Sequence, residues 1–313
     1  MDAPVFTGRM IDLGGYRLHL DCAGKGSPTV VLSIGGGGFS TDWALVQSGV
    51  SAFTRVCSYD RSGAAWSDLG PRPRTMDQEA FDVYRLLSAA GENGPYVVVG
   101  QSIGGMVVRI FTESHPKEVA GIVFVDAYSE DAQLFTNGAM RRMRLLAKDR
   151  SIPAPRTNVT AADGMTPAEM QEKETVVKKY VGDPKIQPPY DRLPAYAQRV
   201  RLWALRQPKN YADGDDYMAE ISARMYKEDE RQTNPLGSIP IVVLTRDARK
   251  TNDYQGPQAA SLVKEHEEQQ ARMSKLSSRG EQIIVPNAGH QIELEAPEIV
   301  VAAIHELAVN SKQ

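Results

Sequence analysis

Short apolar runs, four to six residues long and rich in valine and isoleucine, recur along the chain. They lie at residues 29–34, 54–59, 96–99, 121–125, 241–244 and 282–285. Continuous apolar runs of this length are typical of strands that are covered on both faces of a sheet. An alternating stretch at 16–21 follows two glycines, which predicts a hairpin at the start of the chain.

Helical spacing of apolar residues separates several of these runs. In residues 76–90 the apolar side chains include Ala80, Val83 and Leu87, and further helices are predicted at 104–114, 258–277 and 297–309. Strands that alternate with helices favour an α/β fold. We therefore expect a three-layer sandwich with a mostly parallel sheet.

One long segment breaks this alternation. It is rich in Met, Arg, Lys and Glu, contains proline-rich joints, and offers no convincing strand. Because it lies between two predicted core strands, we interpret it as an insertion. The predicted organisation is a core formed by residues 1–130 and 236–313, with residues 131–235 as a mainly helical cap.

Composition narrows the class of protein. The 313 residues are 42% hydrophobic and 24% charged, with a net charge of −3, which is typical of a globular protein and argues against nucleic-acid binding. No apolar stretch reaches the length of a membrane span, and the first residues do not resemble a signal peptide. The expected location is cytoplasmic, or that of a mature secreted form. Cys22 and Cys57 are expected to be buried free thiols.

The candidate nucleophile is Ser102, in the run GQSIG at residues 100–104. A predicted strand ends just before this run and a predicted helix follows it, which is the context that the G-x-S-x-G elbow requires. The helix N-terminus would direct its dipole and free N–H groups at a developing negative charge.

A serine hydroxyl needs a base to become a nucleophile. Of the five histidines, His290 follows the last predicted strand in a loop that can reach Ser102. The remaining histidines are expected to be structural or solvated, and they are His19, His115, His266 and His305.

Four consecutive glycines at residues 35–38 follow the first core strand. Glycine lets a backbone approach a ligand closely, and an oxyanion hole needs two N–H donors. We expect these donors to be Ile103, directly after the nucleophile, and Gly36, with Gly37 as the next candidate. A phosphate-binding loop fits less well, because the run lacks the Lys-Ser/Thr ending of a P-loop.

In combination these motifs resemble the α/β-hydrolase fold family, and within it the bacterial esterase-like branch related to prolyl aminopeptidases and small-molecule hydrolases. The resemblance rests on the glycine loop followed by Asp42 and Trp43, on residues 55–63 and 66–68, on the Ser102 elbow, and on Gly289 with His290. It does not cover the cap. Departures are Ile34, where many relatives have histidine, and two alanines at 64–65.

The triad acid is open between two positions. In most members of the family it follows the penultimate strand, three residues after a glycine, but this register puts Arg249 at the acid position and Asp247 two residues early. The alternative is Asp126 at the end of the preceding strand, an arrangement that some lipases of this fold have. We favour Asp126, with Glu130 and Asp131 as outside candidates. The acid would orient the imidazole of the base and stabilise its protonated form.

The resemblance implies a serine hydrolase that acts on a small or medium carboxylic ester, with no metal or organic cofactor. Alternatives on the same site are an aminopeptidase or amidase, a lactonase, and a small-molecule receptor without catalysis. An epoxide hydrolase is disfavoured, because such relatives need a carboxylate where this chain has Ser102. The expected partner is an ester-like small molecule. Cap aromatic residues that could line its pocket are Phe135, Tyr180, Tyr190, Tyr196, Trp203, Tyr211, Tyr217 and Tyr226.

Overall fold

A computed structural model describes residues 4–136, 139–212, 217–249 and 259–310. Its strands are β1 (Arg9–Asp12), β2 (Arg17–Ala23), β3 (Thr29–Ser33), β4 (Val56–Tyr59), β5 (Tyr96–Gln101), β6 (Val119–Val125), β7 (Gln133–Thr136), β8 (Ala139–Arg142), β9 (Ile241–Arg246) and β10 (Gly280–Val285). Eight of them form one sheet in the order β1-β2-β4-β3-β5-β6-β9-β10. The sheet is parallel from β4 to β10, and the hairpin β1–β2 adds antiparallel strands at one edge.

Helices cover both faces of this sheet. They are α1 (Ala44–Val50), α2 (Met76–Ala90), α3 (Gly104–Ser114), α4 (Pro167–Val176), α5 (Ala195–Ala204), α6 (Met218–Arg231), α7 (Ala259–Ser274), α8 (Ile292–Glu295) and α9 (Pro297–Asn310). Successive strand residues face opposite sides, so Val98 packs into one hydrophobic cluster and Val97 and Val99 into the other. The first cluster holds residues of α2 and α3, and the second those of α1 and α9. The predicted three-layer α/β fold is confirmed.

The segment between β6 and β9 carries α4, α5 and α6, as its composition predicts, but it also contains a strand pair. Strands β7 and β8 form a short antiparallel hairpin, so the expectation that this segment has no strand was wrong. The hairpin leaves its outer edges unpaired within the described residues, and its short length gave no alternating pattern in the sequence. The division into a core and a cap remains a prediction.

The two cysteines are not free thiols. Cys22 in β2 lies directly opposite Cys57 in β4, with the Cα atoms 4.0 Å apart, and the two are joined in a disulfide. Facing residues of neighbouring antiparallel strands bring their side chains close together. The expectation of free thiols failed because the pairing of β2 with β4, 35 residues apart in sequence, is a property of the topology.

Candidate active site

Ser102 occupies a sharp turn between the end of β5 and the start of α3. Its backbone has φ = 51°, a left-handed conformation that is costly for any residue other than glycine. The turn leaves no room at the flanking positions, since a Cβ atom on Gly100 would lie 2.5 Å from the carbonyl oxygen of Gly104. The neighbouring strand β6 also stabilises the turn, because the N–H of Ser102 donates to the carbonyl oxygen of Val125 at 3.2 Å. These contacts explain why the residue pattern is G-x-S-x-G at this point.

Asp126 and His290 are brought together at the carboxyl end of the sheet. Nδ1 of His290 lies 2.6 Å from Oδ2 of Asp126, and the Asp126 side chain is 1% exposed. Burial alone would raise the pKa of Asp126. The hydrogen bonds from His266 and His290 and the charge of Arg246 outweigh it and hold this pKa below its ordinary value. Asp126 is therefore ionised next to the imidazole.

The other acidic candidates point elsewhere. Asp247 is buried, but its carboxylate pairs with the exposed guanidinium of Arg249 at 3.0 Å. Glu130 lies 3.6 Å from Arg109, and Asp131 forms ion pairs with several arginines. The geometry therefore selects Asp126 among the sequence candidates as the partner of His290.

His266 is a member of the site that sequence reasoning missed. Nε2 of His266, on α7, lies 2.9 Å from Oδ1 of Asp126, the oxygen that His290 does not use. It was expected to be structural or solvated because it sits in a charged stretch. Helical spacing was the available signal: His266, Gln270 and Met273 share one face, and the latter two are buried.

The glycine loop at residues 35–38 lies against the elbow. A Cβ atom on Gly35 would be 2.7 Å from Cβ of Ser102, and one on Gly36 would be 3.4 Å from the Ile103 side chain. The backbone N–H groups of Gly36, Gly37 and Ile103 form no hydrogen bond with any other described residue. The assignment of Ile103 and Gly36, with Gly37 as the alternative, to an oxyanion hole stays a prediction.

The side chain of Gln101 forms hydrogen bonds with both the glycine loop at 35–38 and the loop that carries His290. Its Oε1 accepts from the N–H of Gly35 at 3.0 Å, and its Nε2 donates to the carbonyl oxygen of His290 at 3.1 Å. The guanidinium of Arg61 donates to the carbonyl oxygen of Gly35 at 2.5 Å. Both backbone groups of Gly35 are therefore committed, which leaves the following two glycines to offer their N–H groups.

Two cavities flank the elbow. The smaller one, of about 310 Å³, is lined by Ser102, Asp126, His266 and His290. The larger one, of about 510 Å³, reaches Gly37 and Ile103 and is enclosed by core residues and by cap residues of α4 and of 205–212. Among the cap aromatics named above, Tyr211 lines this larger cavity, whereas Tyr180 is exposed. The side chain of Phe135 lies outside the described residues.

Within the described ranges, one cluster combines three groups of the kind that bind metals, namely Cys22, Cys57 and Glu92. Its sulfur atoms are joined to each other, so they cannot act as thiolate ligands. In the part of the chain that the structure describes, the residues around Ser102 form no such cluster.

With this fold and site described, the class of protein follows. A model of the alpha/beta hydrolase family matches residues 30–303, and the chain belongs to that family. The matched range includes the elbow, Asp126 and His290.

The chain is also similar to a curated protein and, in fold, to solved structures. The chain is 28% identical over 310 residues to a protein of Hormonema carpetanum named "Probable transporter efuK", covering 94% of this chain and 42% of that protein. The fold of this chain is similar to that of a thermophilic esterase from Thermogutta terrifontis, with a TM-score of 0.62, 20% identity and 95% of each chain covered. It is also similar to that of the epoxide hydrolase CorEH, with a TM-score of 0.64, 17% identity, and 96% and 98% of the chains covered.

Several curated relatives are much longer than this chain. The chain spans between 21% and 42% of the length of four of them, two of which, from two strains of Saccharomyces cerevisiae, are named uncharacterized vacuolar membrane proteins. None of the helices in the described part of this chain combines the length and the apolar character that a membrane crossing needs.

Proposed function

We propose that the protein is a serine hydrolase that cleaves a small or medium carboxylic ester through an acyl-enzyme on Ser102. The observation that carries this proposal is the 2.6 Å contact between His290 Nδ1 and the ionised Asp126, in the same cavity as Ser102. A serine beside a base that is oriented by a third group is the arrangement that activates a hydroxyl nucleophile.

The proposed reaction uses these residues in a fixed order. Because Nδ1 of His290 is engaged by Asp126, Nε2 is the nitrogen that accepts the proton of Ser102. The oxygen of Ser102 then bonds to the ester carbonyl carbon. His290 passes its proton to the leaving alcohol as the carbon–oxygen bond breaks, and water attacks the acyl-enzyme by the reverse sequence.

The negative charge that develops on the carbonyl oxygen needs preorganised donors. The N–H groups of Ile103 and Gly36 are proposed for this role, with Gly37 as the alternative to Gly36. Their support is that they lack other acceptors among the described residues, that Ile103 directly follows Ser102, and that Gly36 lies against the Ile103 side chain.

The size of the substrate is inferred from the larger cavity. Its volume of about 510 Å³ falls in the range of small-molecule sites, and apolar side chains such as Leu18, Val176 and Leu205 form part of its wall. An acyl or alcohol group of medium length would fit there, while the carbonyl carbon lies at Ser102.

The test is covalent labelling with a fluorophosphonate, read by intact mass and peptide mapping. We expect one adduct on Ser102 in the wild type and none in Ser102→Ala, which should also lose turnover of p-nitrophenyl esters. A panel of p-nitrophenyl esters, proline anilides and lactones separates an esterase from an aminopeptidase and a lactonase. An active protein that takes no label, or ester turnover that survives in Ser102→Ala, would contradict the proposal.

Two rival functions are less well supported. Likeness in fold to an epoxide hydrolase does not favour that chemistry here, because the elbow carries Ser102 and no carboxylate. A receptor without catalysis would bind ligand in the same cavities, and it would show ligand-induced thermal stabilisation without labelling or turnover.

We further propose that the protein works in an oxidising compartment, which favours the secreted of the two expected locations. The support is the disulfide between Cys22 and Cys57, since cytosolic thiols are kept reduced. Thiol titration of the denatured protein after expression in an oxidising and in a reducing compartment tests this; two free thiols in both would contradict it.

A further inference from the structure

We propose that His266 is a positioning residue of the active site, which holds the Asp126 carboxylate in place for His290; this rests on the function proposed above. Two histidines approach the same carboxylate, one on each oxygen. His290 lies 2.6 Å from Oδ2 and His266 lies 2.9 Å from Oδ1. An ionised carboxylate only accepts hydrogen bonds, so Nε2 of His266 carries the proton of this bond.

Without His266, Asp126 would be held unevenly. Its Oδ2 would keep His290 and the guanidinium of Arg246 at 3.1 Å, whereas the one donor left to Oδ1 among the described residues would be the backbone N–H of Arg246 at 3.2 Å. Asp126 is also in a left-handed conformation, with φ = 41°. The donor from His266 therefore fixes the plane of a carboxylate that sits on a strained backbone.

A merely structural role is the rival explanation, in which His266 serves to dock α7. That helix already has three other polar ties to the loop after β6. Gln270 donates to the carbonyl oxygen of Ala127 at 2.7 Å, Gln269 donates to that of Asp131 at 3.0 Å, and Arg272 pairs with the Asp131 carboxylate at 2.9 Å. Because these bonds hold the helix, the contact of His266 with Asp126 is not needed for docking.

His266 should also moderate the charge that Asp126 presents to His290. A donor on Oδ1 draws charge away from Oδ2, which makes the carboxylate a weaker partner for a protonated His290. Removing that donor should strengthen the interaction of Asp126 with a protonated His290 and move the acidic limb of kcat/KM to higher pH. Ionisable groups around His266 are Asp126, Arg246 and His290 from the core, and Glu265 and Glu267 on its own helix. Glu265 bonds to Arg142, and Glu267 lies near Arg249.

The experiment compares His266→Ala and His266→Gln by steady-state ester hydrolysis over a range of pH. In His266→Ala we expect kcat to fall by on the order of tenfold, KM to stay the same, and the acidic limb to move upward. Glutamine can carry an N–H donor at the position of Nε2, so His266→Gln should restore most of kcat and the wild-type pH limb.

Arg272→Ala is the matched control. It removes the contact of α7 with the Asp131 carboxylate and leaves the contacts of Asp126 intact. It should therefore lower the melting temperature while leaving kcat and the acidic limb of kcat/KM unchanged. The proposal is overturned if His266→Ala behaves like Arg272→Ala. It is also overturned if its loss of kcat comes without a shift of the limb, or is not restored by glutamine.

Fluorophosphonate labelling separates this inference from the proposed function. If the wild type takes no label on Ser102, the proposed function fails. If Ser102 is labelled at the same rate in the wild type and in His266→Ala while His290→Ala is inert, the serine hydrolase stands and the role of His266 fails.

Discussion

The side-chain amide of Gln101 donates to the backbone carbonyl oxygen of His290 across 3.1 Å, although the two residues are 189 positions apart. The same amide group accepts from Gly35 at its other end. The residue before the proposed nucleophile thus links the loop that carries the proposed oxyanion donors to the loop that carries the proposed base. The contact with Gly35 is buried and the contact with His290 is partly buried, and a hydrogen bond lost in buried surroundings costs most.

Replacing Gln101 with methionine, which has a similar length and no amide, should remove the hydrogen bonds to both Gly35 and His290. We expect kcat to fall by about tenfold and the affinity for a boronic acid transition-state analogue to fall in parallel, while KM changes little. Gln47→Met is a suitable control, because Gln47 also bridges two segments but lies away from the site. Wild-type kcat and boronate affinity in Gln101→Met would refute a positioning role.

The choice of acid can be tested by paired substitutions. Asp126→Asn should lower kcat by on the order of a thousandfold or more, since loss of the triad carboxylate in serine proteases leaves the imidazole in the wrong tautomer. Asp247→Asn removes an ion pair with the exposed Arg249 and should retain most of the activity. Steady-state kinetics on one ester decides the matter, and a collapse confined to Asp247→Asn would reverse the assignment.

Filling the larger cavity should shift substrate preference. Val176→Trp places a bulkier side chain in its wall, so activity should fall steeply for the longer p-nitrophenyl esters and little for the acetate. Glu174→Trp adds the same bulk at an exposed position of α4 that does not line the cavity, and its chain-length profile should match the wild type. Identical profiles for both variants would mean that the substrate does not enter this cavity.

Asp82 predicts a specific pH dependence of stability. Burial raises the pKa of Asp82 from 3.8 to about 6, against hydrogen bonds from Tyr16 and Gln78. The folded state binds this proton more tightly than the unfolded state, and this difference adds to the free energy of unfolding. The added stability is fully present below pH 4 and is lost as the pH rises through 6. Asp82→Asn should remove this decline and raise the free energy of unfolding at pH 7 by roughly 2 to 3 kcal/mol.

Urea unfolding of the wild type and of Asp82→Asn between pH 4 and 8 measures this effect. The amide oxygen of asparagine can still accept from Tyr16 and Gln78, so the comparison isolates the charge. If the free energies of unfolding of the two proteins differ by the same amount at every pH from 4 to 8, the ionisation of Asp82 is not linked to folding.

The disulfide should contribute to stability without contributing to activity. Cys22 and Cys57 close a loop with a sequence separation of 35, for which chain entropy gives a stabilisation of about 4 kcal/mol, with measured values typically 2–4 kcal/mol. Cys22→Ala/Cys57→Ala should therefore unfold at lower urea, and the folded fraction should keep the kcat of the wild type. An unchanged midpoint under oxidising conditions would indicate that the two sulfur atoms are not bonded in solution.

Hydrophobic spacing and turn residues in the sequence were sufficient to predict the elements that depend on interactions between residues close together along the chain. The helical periods at 76–90 and 104–114 match α2 and α3 residue for residue, and the strand-turn-helix context identified the Ser102 elbow. Of the two histidines that contact Asp126, His290 was expected as the base from its place after the last strand, whereas His266 could not be derived in this way. His266 and His290 lie 140 and 164 residues away along the chain, and only the order of strands in the sheet brings them to one carboxylate.

That convergence has a consequence for the order in which the chain is made. Ser102 and the glycine loop are synthesised early, but the groups that hold Asp126 come from residues 246, 266 and 290, near the end of this sequence. A growing or truncated chain that stops before residue 290 would carry Ser102 without its proposed base. On our proposal such a fragment is chemically silent, so the reactive serine is switched on by completion of this domain and not by the formation of its own turn.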